Sequence, residues 1–184
     1  MISYFYYICD TIIINTVLKK GGNSMCAENN KNVFYYDSPI GKLGVCEDNG
    51  EITHVLFENE KCPEGYIEKE TEILKEAGEA LSQYFQGNKK TFTLPLNPHG
   101  TEFMKKVWKS LERIPYGETR SYKEIAESIG NPKGYRAVGN ANNKNPIPIF
   151  IPCHRVVGAN GKLVGYAGGI EVKKFLLDIE MNNK

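Results

Sequence analysis

The sequence predicts a two-domain α/β (α+β) protein in which a small antiparallel sheet precedes a mostly helical region. Three observations predict this order. The chain of 184 residues is long enough for one or two small domains. Residues 33–57 carry short apolar runs between turn residues, and residues 103–180 carry apolar residues at helical spacing. Because two prolines mark residues 88–100 as a linker, we place the domains at residues 33–97 and 98–184.

The N-terminal domain begins with three predicted strands. Asn49-Gly50 lies between the second and the third, and this pair is a strong signal for a two-residue hairpin, so the strands should form an antiparallel meander. The strands are expected at residues 33–36, 42–46 and 52–57. A helix is predicted over residues 67–86, with one apolar face made of Ile67, Thr71, Leu74, Ala77, Leu81 and Phe85.

The C-terminal domain should be a set of short helices. The first covers residues 103–114, and Ser121 and Glu124 then form a capping box that starts a second. A glycine-containing break leads to a third helix from Tyr135 to about Asn142, so the last two helices have the outline of a helix-turn-helix. The final helix is expected over residues 170–180, with its inward face made of Val172, Phe175, Leu176 and Ile179.

The small residues of the third helix suggest how such a unit would meet DNA. Ala137, Gly139 and Ala141 would let the helix approach a groove or a phosphate backbone closely. Ordinary helix packing also explains small residues, so both interpretations stay open at this point.

The first 32 residues are expected to lie outside the folded protein. Residues 2–17 are apolar but contain Asp10, and no positive charge precedes them as it would in a signal peptide. The stretch is also too short and too polar for a membrane span. If the purine-rich DNA of a ribosome-binding site were read in frame just upstream of a start codon, it would encode a sequence like residues 19–25, with the true start at Met25. Residues 1–24 are therefore interpreted as a mis-assigned leader, and residues 25–32 as flexible.

Composition limits the class of protein further. Five cysteines at irregular spacing argue against a disulfide framework and for a cytoplasmic protein, and none of their spacings resembles a metal site. Residues 98–184 carry 14 Lys/Arg against 8 Asp/Glu, whereas residues 1–97 carry 9 against 14. A basic half beside an acidic half suggests that the basic half meets a polyanion. We expect no metal, no cofactor and no membrane contact, and a monomer.

The segment most informative about chemistry is Ile151-Pro-Cys-His-Arg-Val156. A thiol reacts as its thiolate, and neighbouring His and Arg side chains favour that form. Cys153 is therefore the candidate nucleophile, although a buried structural cysteine is a common alternative.

Taken together, the motifs of the C-terminal half resemble those of the O6-alkylguanine-DNA alkyltransferases, the methylated-DNA–protein-cysteine methyltransferases. The resemblance extends from Val33 to Glu180 and includes the turn Ser38-Pro-Ile-Gly-Lys-Leu43. The matching motifs are Val107-Trp108, Ile114-Pro-Tyr-Gly117, Ser121-Tyr122, Arg136-Ala-Val-Gly139, Asn145-Pro146, Ile151-Pro-Cys-His-Arg-Val156, Gly165-Tyr-Ala-Gly-Gly169 and Leu176–Glu180.

This resemblance implies the fold and the activity. The N-terminal domain would have a ribonuclease-H-like topology, and the C-terminal domain would be a winged-helix-like DNA-binding unit. The protein would repair double-stranded DNA by a single irreversible transfer of the alkyl group from O6-alkylguanine to Cys153. O4-methylthymine stays open as a second substrate.

The resemblance also implies a role for each site residue. His154 would take the thiol proton through a water, Glu180 would orient His154, and Tyr122 would hydrogen-bond N3 of the guanine. Arg136 would fill the gap left by the flipped base, and Asn145 would act as a hinge. The remaining expected DNA contacts are Ser121, Ala137, Gly139 and Ala141, and the expected pocket residues are Val156, Tyr166, Ala167 and Gly168. Ala167 stands where some relatives have Ser, which removes a hydroxyl contact.

Two other functions fit part of the pattern. A helix-turn-helix protein could recognise lesions without repairing them, but the intact Pro-Cys-His-Arg motif argues against that. A cysteine hydrolase could use Cys153 and His154, but adjacent side chains in an extended segment point apart, which disfavours direct contact between them. A hydrolase would turn over repeatedly, whereas an alkyl acceptor stops after one event.

Overall fold

A computed structural model describes residues 30–184. The predictions for residues 1–24 and 25–29 lie outside this part of the chain. The prediction that residues up to 32 are flexible is wrong for Lys31 and Asn32, which belong to a strand, and Asn32 Nδ2 donates to Glu47 Oε1 at 2.7 Å. Below, residues 30–97 are called the N-terminal region and residues 98–184 the C-terminal region.

The N-terminal region is built on a four-stranded sheet in the order β3-β2-β1-β4. The pairs β1–β2 and β2–β3 are antiparallel, which confirms the predicted meander. The short strand β4 pairs parallel to β1, so the sheet is mixed and not wholly antiparallel as expected. The strands are β1 (Lys31–Tyr36), β2 (Leu43–Asp48), β3 (Glu51–Leu56) and β4 (Ile67–Glu68).

The hairpin between β2 and β3 turns at the predicted pair. Asn49 and Gly50 both adopt positive φ, 53° and 81°, as a two-residue turn of this kind requires. Asparagine and glycine are the residues that tolerate this conformation best, so the local sequence determines the turn.

Helix α1 (Glu72–Phe85) begins five residues later than the sequence predicts. Ile67 lies in β4, and the amide of Lys69 donates to the carbonyl of Val33 at 3.1 Å, which extends the pairing with β1. These backbone groups are therefore satisfied by a strand instead of a helix. Ile67 is 52% exposed, so its apolar side chain does not belong to the buried face of α1.

The predicted linker runs along the outer edge of the sheet. The amide of Ile52 donates to the carbonyl of Pro95 at 2.8 Å, and the amide of Asn97 donates to the carbonyl of Ile52 at 2.8 Å. Residues 95–97 therefore cover part of the edge of β3 that no other strand pairs with among the described residues.

The C-terminal region contains four helices and the turn that carries Cys153. The capping box is confirmed: the amide of Glu124 donates to Ser121 Oγ, and the amide of Ser121 donates to Glu124 Oε2. Two short strands, Arg120–Ser121 and Val156–Val157, pair in parallel. The elements are α2 (Glu102–Leu111), β5 (Arg120–Ser121), α3 (Tyr122–Ser128), α4 (Tyr135–Asn143), a 3-10 turn (Cys153–Arg155), β6 (Val156–Val157) and α5 (Ile170–Asn182).

The inward face of α5 differs from the prediction. Phe175 is exposed, Val172 and Ile179 are only partly buried, and Lys173 and Glu180 are fully buried. The buried face of α5 therefore differs from the face that its apolar residues define. It includes two charged side chains because both have polar partners in the interior. Burial of a charge is tolerated only with such partners.

The two regions share one hydrophobic core. The largest buried cluster joins Val45, Ile52 and Leu74 of the N-terminal region to Trp108 and Leu176 of the C-terminal region. The turn that carries Cys153 lies in this shared interior. Within residues 30–184, no helix is long and apolar enough to cross a membrane.

Candidate active site

Cys153 is the first residue of the 3-10 turn, and it is 4% exposed. Its amide donates to the carbonyl of Ile151 at 2.7 Å. The side chain of Asn145 holds the same loop from the other side, since Nδ2 donates to the carbonyl of Ile151 at 2.9 Å and Oδ1 accepts the amide of Ile147 at 3.1 Å. Asn145 therefore fixes the segment that leads from α4 to the thiol.

The thiol of Cys153 is not a thiolate on its own. Burial raises its pKa to about 11, against the opposing effects of a hydrogen bond with Asn145 and the positive charge of Lys173. A buried thiol with this pKa reacts at neutral pH only if a base takes its proton.

His154 supplies the neighbouring imidazole, and it is fully buried. Its Nε2 lies 2.8 Å from Glu180 Oε1, which fits a neutral ring that donates from Nε2 to the carboxylate. Burial lowers the pKa of His154, while Glu180 acts in the opposite direction and Arg155 and Lys173 favour the neutral form. Nδ1 receives no hydrogen bond from any described protein group, so it is the ring atom available to accept a proton.

Glu180 is the residue on which the polar contacts of the site converge. Burial alone would raise its pKa, but His154 and Arg155 bring it down to about 2. Arg155 Nε lies 2.9 Å from Oε2 and its terminal nitrogen lies 3.0 Å from Oε1. The amide of Gly117 also donates to Oε2, at 3.0 Å. The carboxylate is therefore fixed and ionised, as an orienting partner of His154 must be.

Sequence reasoning missed the contacts of three polar residues near His154 and Glu180. Arg155 was expected to favour the thiolate of Cys153 and instead pairs with Glu180. Arg155 binds both Glu180 and the carbonyl of Ile114, the latter at 2.6 Å. Tyr84, in α1, donates its hydroxyl to Glu180 Oε1 at 2.7 Å. Arg155 stood within the quoted motif, but Tyr84 occupies an apolar helix face and gives no local signal of its role.

Lys173 is the third missed residue. Its Nζ donates to the carbonyls of Val156 and Val164 at 2.6 and 2.9 Å, and it thereby ties α5 to both ends of the segment after Cys153. Burial lowers its pKa to about 8, and Cys153 acts in the opposite direction. The expected pocket residue Val156 is itself fully buried, and its carbonyl already accepts this hydrogen bond.

Tyr122 lies near the thiol at the start of α3. Burial raises the pKa of its hydroxyl, and the charge that Cys153 would carry acts in the same direction. A Cβ on Gly139 would lie 3.8 Å from the Tyr122 ring, so α4 approaches this tyrosine closely. Tyr122 therefore lies against Gly139 of α4 and close enough to Cys153 for a charge on the sulfur to act on its hydroxyl.

The residues expected to contact DNA differ in how exposed they are. Arg136 and Ala137 are exposed on α4, and the ring of exposed Tyr135 lies 5.8 Å from the guanidinium of Arg136. Ser121 is partly buried at the cap of α3. Ala141 is 2% exposed and its carbonyl accepts the indole N–H of Trp108 at 2.8 Å, so the prediction that it contacts DNA does not fit its position in the core.

The segment 165–169 packs between His154 and the N-terminal region. Tyr166 is buried, and its ring centroid lies 6.4 Å from that of His154 and 5.7 Å from that of Phe57. A Cβ on Gly168 would lie 2.8 Å from the Phe57 ring, so glycine is needed for this close approach. Ala167 is exposed. Within residues 30–184 no cluster of three or more His, Cys, Asp or Glu side chains could hold a metal.

Comparison with known proteins agrees with this geometry. Residues 102–182 match the family model for the DNA-binding domain of 6-O-methylguanine DNA methyltransferase, and residues 33–98 match its ribonuclease-like domain. A methylated-DNA–protein-cysteine methyltransferase of Methanosarcina acetivorans is 52% identical over 149 residues, covering 79% of this chain and 95% of the relative. The constitutive one of Bacillus subtilis is 49% identical over 151 residues, covering 78% and 92%. The crystal structure of Mycobacterium tuberculosis OGT in complex with DNA matches with a TM-score of 0.79 and 43% identity, covering 83% of this chain and 94% of that one.

Proposed function

Because the chain belongs to the 6-O-methylguanine DNA methyltransferase family, we propose that it repairs duplex DNA by moving the alkyl group of O6-alkylguanine onto Sγ of Cys153. The observation that carries this proposal is the buried series Cys153, His154 and Glu180, in which Nδ1 of His154 is available as an acceptor. We also place the activity in the cytoplasm, which the free thiols of Cys46, Cys62 and Cys153 support.

Proton removal is the first step. The thiol of Cys153 has a raised pKa, so its proton passes through one water to Nδ1 of His154, which has no hydrogen-bond partner among the described protein groups. Glu180 stabilises the imidazolium that forms, through the hydrogen bond to Nε2. Arg155 keeps Glu180 ionised throughout, so the proton stays on His154 and does not continue to the carboxylate.

Displacement follows at the alkyl carbon. A bond forms between Sγ and this carbon, the bond between the carbon and O6 breaks, and the electron pair stays on the guanine. The hydroxyl of Tyr122 would hydrogen-bond N3 and stabilise the charge on this leaving group. The product is a thioether that no group of the relay can reverse, so each protein molecule reacts once and needs no cofactor.

Access to the base requires that it leave the helix. Extrusion costs a few kcal/mol, and a lesion that weakens pairing lowers this cost. Arg136 and Ala137 are exposed on α4, the helix whose Gly139 approaches Tyr122, so a duplex docked on α4 would lie next to the thiol. We propose that Arg136 fills the gap left by the flipped base, and that Tyr166, Ala167 and Gly168 form the pocket wall.

Stoichiometry tests the proposal. The protein is incubated with an excess of duplex that contains O6-methylguanine, and the repaired guanines are counted against the protein. We expect a plateau at one repaired guanine per protein molecule. Continued repair beyond one equivalent would indicate a cycling hydrolase, and binding without repair would indicate a lesion-recognition protein.

A further inference from the structure

We propose that Tyr84, contributed by the N-terminal region, is a positioning residue that keeps His154 neutral with its Nε2–H directed at Glu180. This inference rests on the proposed function, because it assigns a further residue to the same relay. It gives the N-terminal region a part in the chemistry as well as in the fold.

The geometry places the hydroxyl of Tyr84 at the junction of the pair. It donates to Glu180 Oε1 at 2.7 Å, and His154 Nε2 binds the same oxygen at 2.8 Å. The distance between the Tyr84 oxygen and Nε2 is 3.3 Å. Tyr84 and His154 therefore share one oxygen of the carboxylate.

Tyr84 is held in this position by its surroundings. Its side chain is fully buried, and the rings of Phe85, Phe92 and Tyr116 lie within 6.1 Å of its own, centroid to centroid. Among the described residues, it is the only side chain of the N-terminal region that hydrogen-bonds Glu180, whose other partners all belong to the C-terminal region.

The effect on His154 follows from competition for the oxygen. A carboxylate that accepts more hydrogen bonds is a weaker acceptor for each of them, and it stabilises an imidazolium less. Burial and the Glu180 charge both raise the pKa of Tyr84, so its hydroxyl stays protonated and acts as a permanent donor. Without that hydroxyl, Glu180 would favour protonated His154 more strongly, and a larger share of the protein would lack a free base.

Other titratable and charged groups also face His154 and Glu180 and affect the protonation of His154. From the 3-10 turn these are Cys153 and Arg155, from α5 Lys173, from the segment before α5 Tyr166, and from the segment after α2 Tyr116. The charges of Arg155 and Lys173 favour neutral His154 and remain in place when Tyr84 is changed. Replacing Tyr84 by Phe therefore removes a single neutral hydrogen-bond donor and leaves these charges unchanged.

The test compares Tyr84→Phe with the unmodified full chain. The rate of methyl transfer from O6-methylguanine is measured at saturating duplex between pH 5.5 and 8.5. We expect the acid limb of the profile to move to higher pH by about half a unit, because the loss of one hydrogen bond to a charged group shifts a coupled pKa by about that amount. The rate should fall by up to about threefold at the acid end of the range and stay nearly unchanged at pH 8.

A matched control and a second measurement keep the inference falsifiable. Tyr36→Phe removes another hydroxyl of the N-terminal region, which binds Glu70 at 3.1 Å on the surface, and it should leave the profile unchanged. A profile for Tyr84→Phe that coincides with that of the unmodified chain, or that falls equally at every pH, would overturn the inference. The pKa of His154, followed by NMR of nitrogen-labelled histidine, should rise in Tyr84→Phe. That second measurement decides the matter even if the unmodified chain transfers no methyl group, a result that would reject the proposed function alone.

Discussion

Glu180 combines full burial with contacts to three charged or polar side chains, and so it determines much of what the site can do. A buried ion pair contributes little net stability when both partners are present, but it becomes costly when one partner is removed. Arg155 would be left uncompensated in the interior if Glu180 lost its charge. Stability and the orientation of His154 therefore depend on the same carboxylate.

Replacing Glu180 by Gln should destabilise the protein and slow the transfer. We expect the free energy of unfolding to fall by about 3 kcal/mol, because a charged Arg155 remains buried without its partner. Glu118→Gln is the matched control, since Glu118 binds Arg120 at 2.9 Å on the surface, and it should cost less than about 1 kcal/mol. Denaturant unfolding of the two variants measures both values, and equal losses would contradict the account.

The depressed pKa of Glu180 also predicts how stability depends on pH. The ordinary value is 4.5 and the folded value is about 2, so the folded state releases this proton more readily than the unfolded state. The stabilisation is complete above about pH 4.5 and is lost as pH falls toward 2. The unmodified protein should lose stability steeply in this window, and Glu180→Gln should show a shallower slope in the same titration.

How far the sequence predicts the site depends on whether a residue carries its own signal. Cys153 and His154 stand in a recognisable motif, and Glu180 followed from the resemblance. Tyr84 and Lys173 have no such signal, because a tyrosine and a lysine on a helix are ordinary residues until the fold brings distant groups to them. Only the packing of α1 against the C-terminal region makes Tyr84 a partner of Glu180, 96 residues away.

Among the elements, α3 shows how local sequence positions a functional side chain. Ser121 caps the helix, and Tyr122 is its first residue. The same capping box that begins the helix therefore determines where the Tyr122 hydroxyl lies relative to Cys153. This local arrangement could be predicted because a capping box involves residues only three apart.

Loss of this cap should affect transfer as well as stability. Ser121→Ala should lower the free energy of unfolding by about 1 kcal/mol. It should also reduce the transfer rate, because the first turn of α3, which carries Tyr122, loses its capping hydrogen bond. Thr101→Ala is the control, since Thr101 caps α2 by accepting the amide of Met104 at 3.3 Å. This variant should lower the free energy of unfolding by a similar amount and leave the transfer rate of the folded protein unchanged. Parallel thermal unfolding and transfer assays would contradict this if both variants slowed transfer equally.

Elements whose partners are distant were predicted less well. The start of α1 was placed too early because β4 takes the hydrogen bonds of residues 67–69, and a parallel pairing with β1 leaves no local trace. The predicted face of α5 was right for Leu176, which is fully buried, but wrong for Phe175, which is exposed, and for a similar reason. Apolar periodicity assumes that charges lie outside, whereas Lys173 and Glu180 find partners inside.

At the scale of the whole molecule, the two regions act as one unit. Their shared core and the contact between Tyr84 and Glu180 join them at the site. The order of the first three strands and of the five helices could be predicted from turn residues and helical periodicity, whereas the short strands β4, β5 and β6 were not predicted. The way the linker covers the edge of β3 could not, because edge pairing depends on the folded arrangement.

The distribution of charge predicts a salt-dependent interaction with DNA. The C-terminal half carries the positive excess, so binding should weaken as salt displaces its phosphate contacts. Arg136→Ala should lower duplex affinity and reduce the slope of log affinity against log salt by about 1. Lys75→Ala, which changes an exposed lysine of α1 in the N-terminal region, is the control and should leave the slope unchanged. Binding titrations at several salt concentrations measure affinity and slope for both variants, and an unchanged affinity together with an unchanged slope for Arg136→Ala would contradict its contact with DNA.

The central claim is that Cys153 accepts the alkyl group. Intact mass and peptide mapping after reaction with a duplex that contains O6-methylguanine test it most directly. The account predicts a mass gain of one CH2, saturating at one per protein and located on the peptide that carries Cys153, with no gain in Cys153→Ser. A methyl group on Cys46 or Cys62, or no gain in a protein that still binds the duplex, would contradict it.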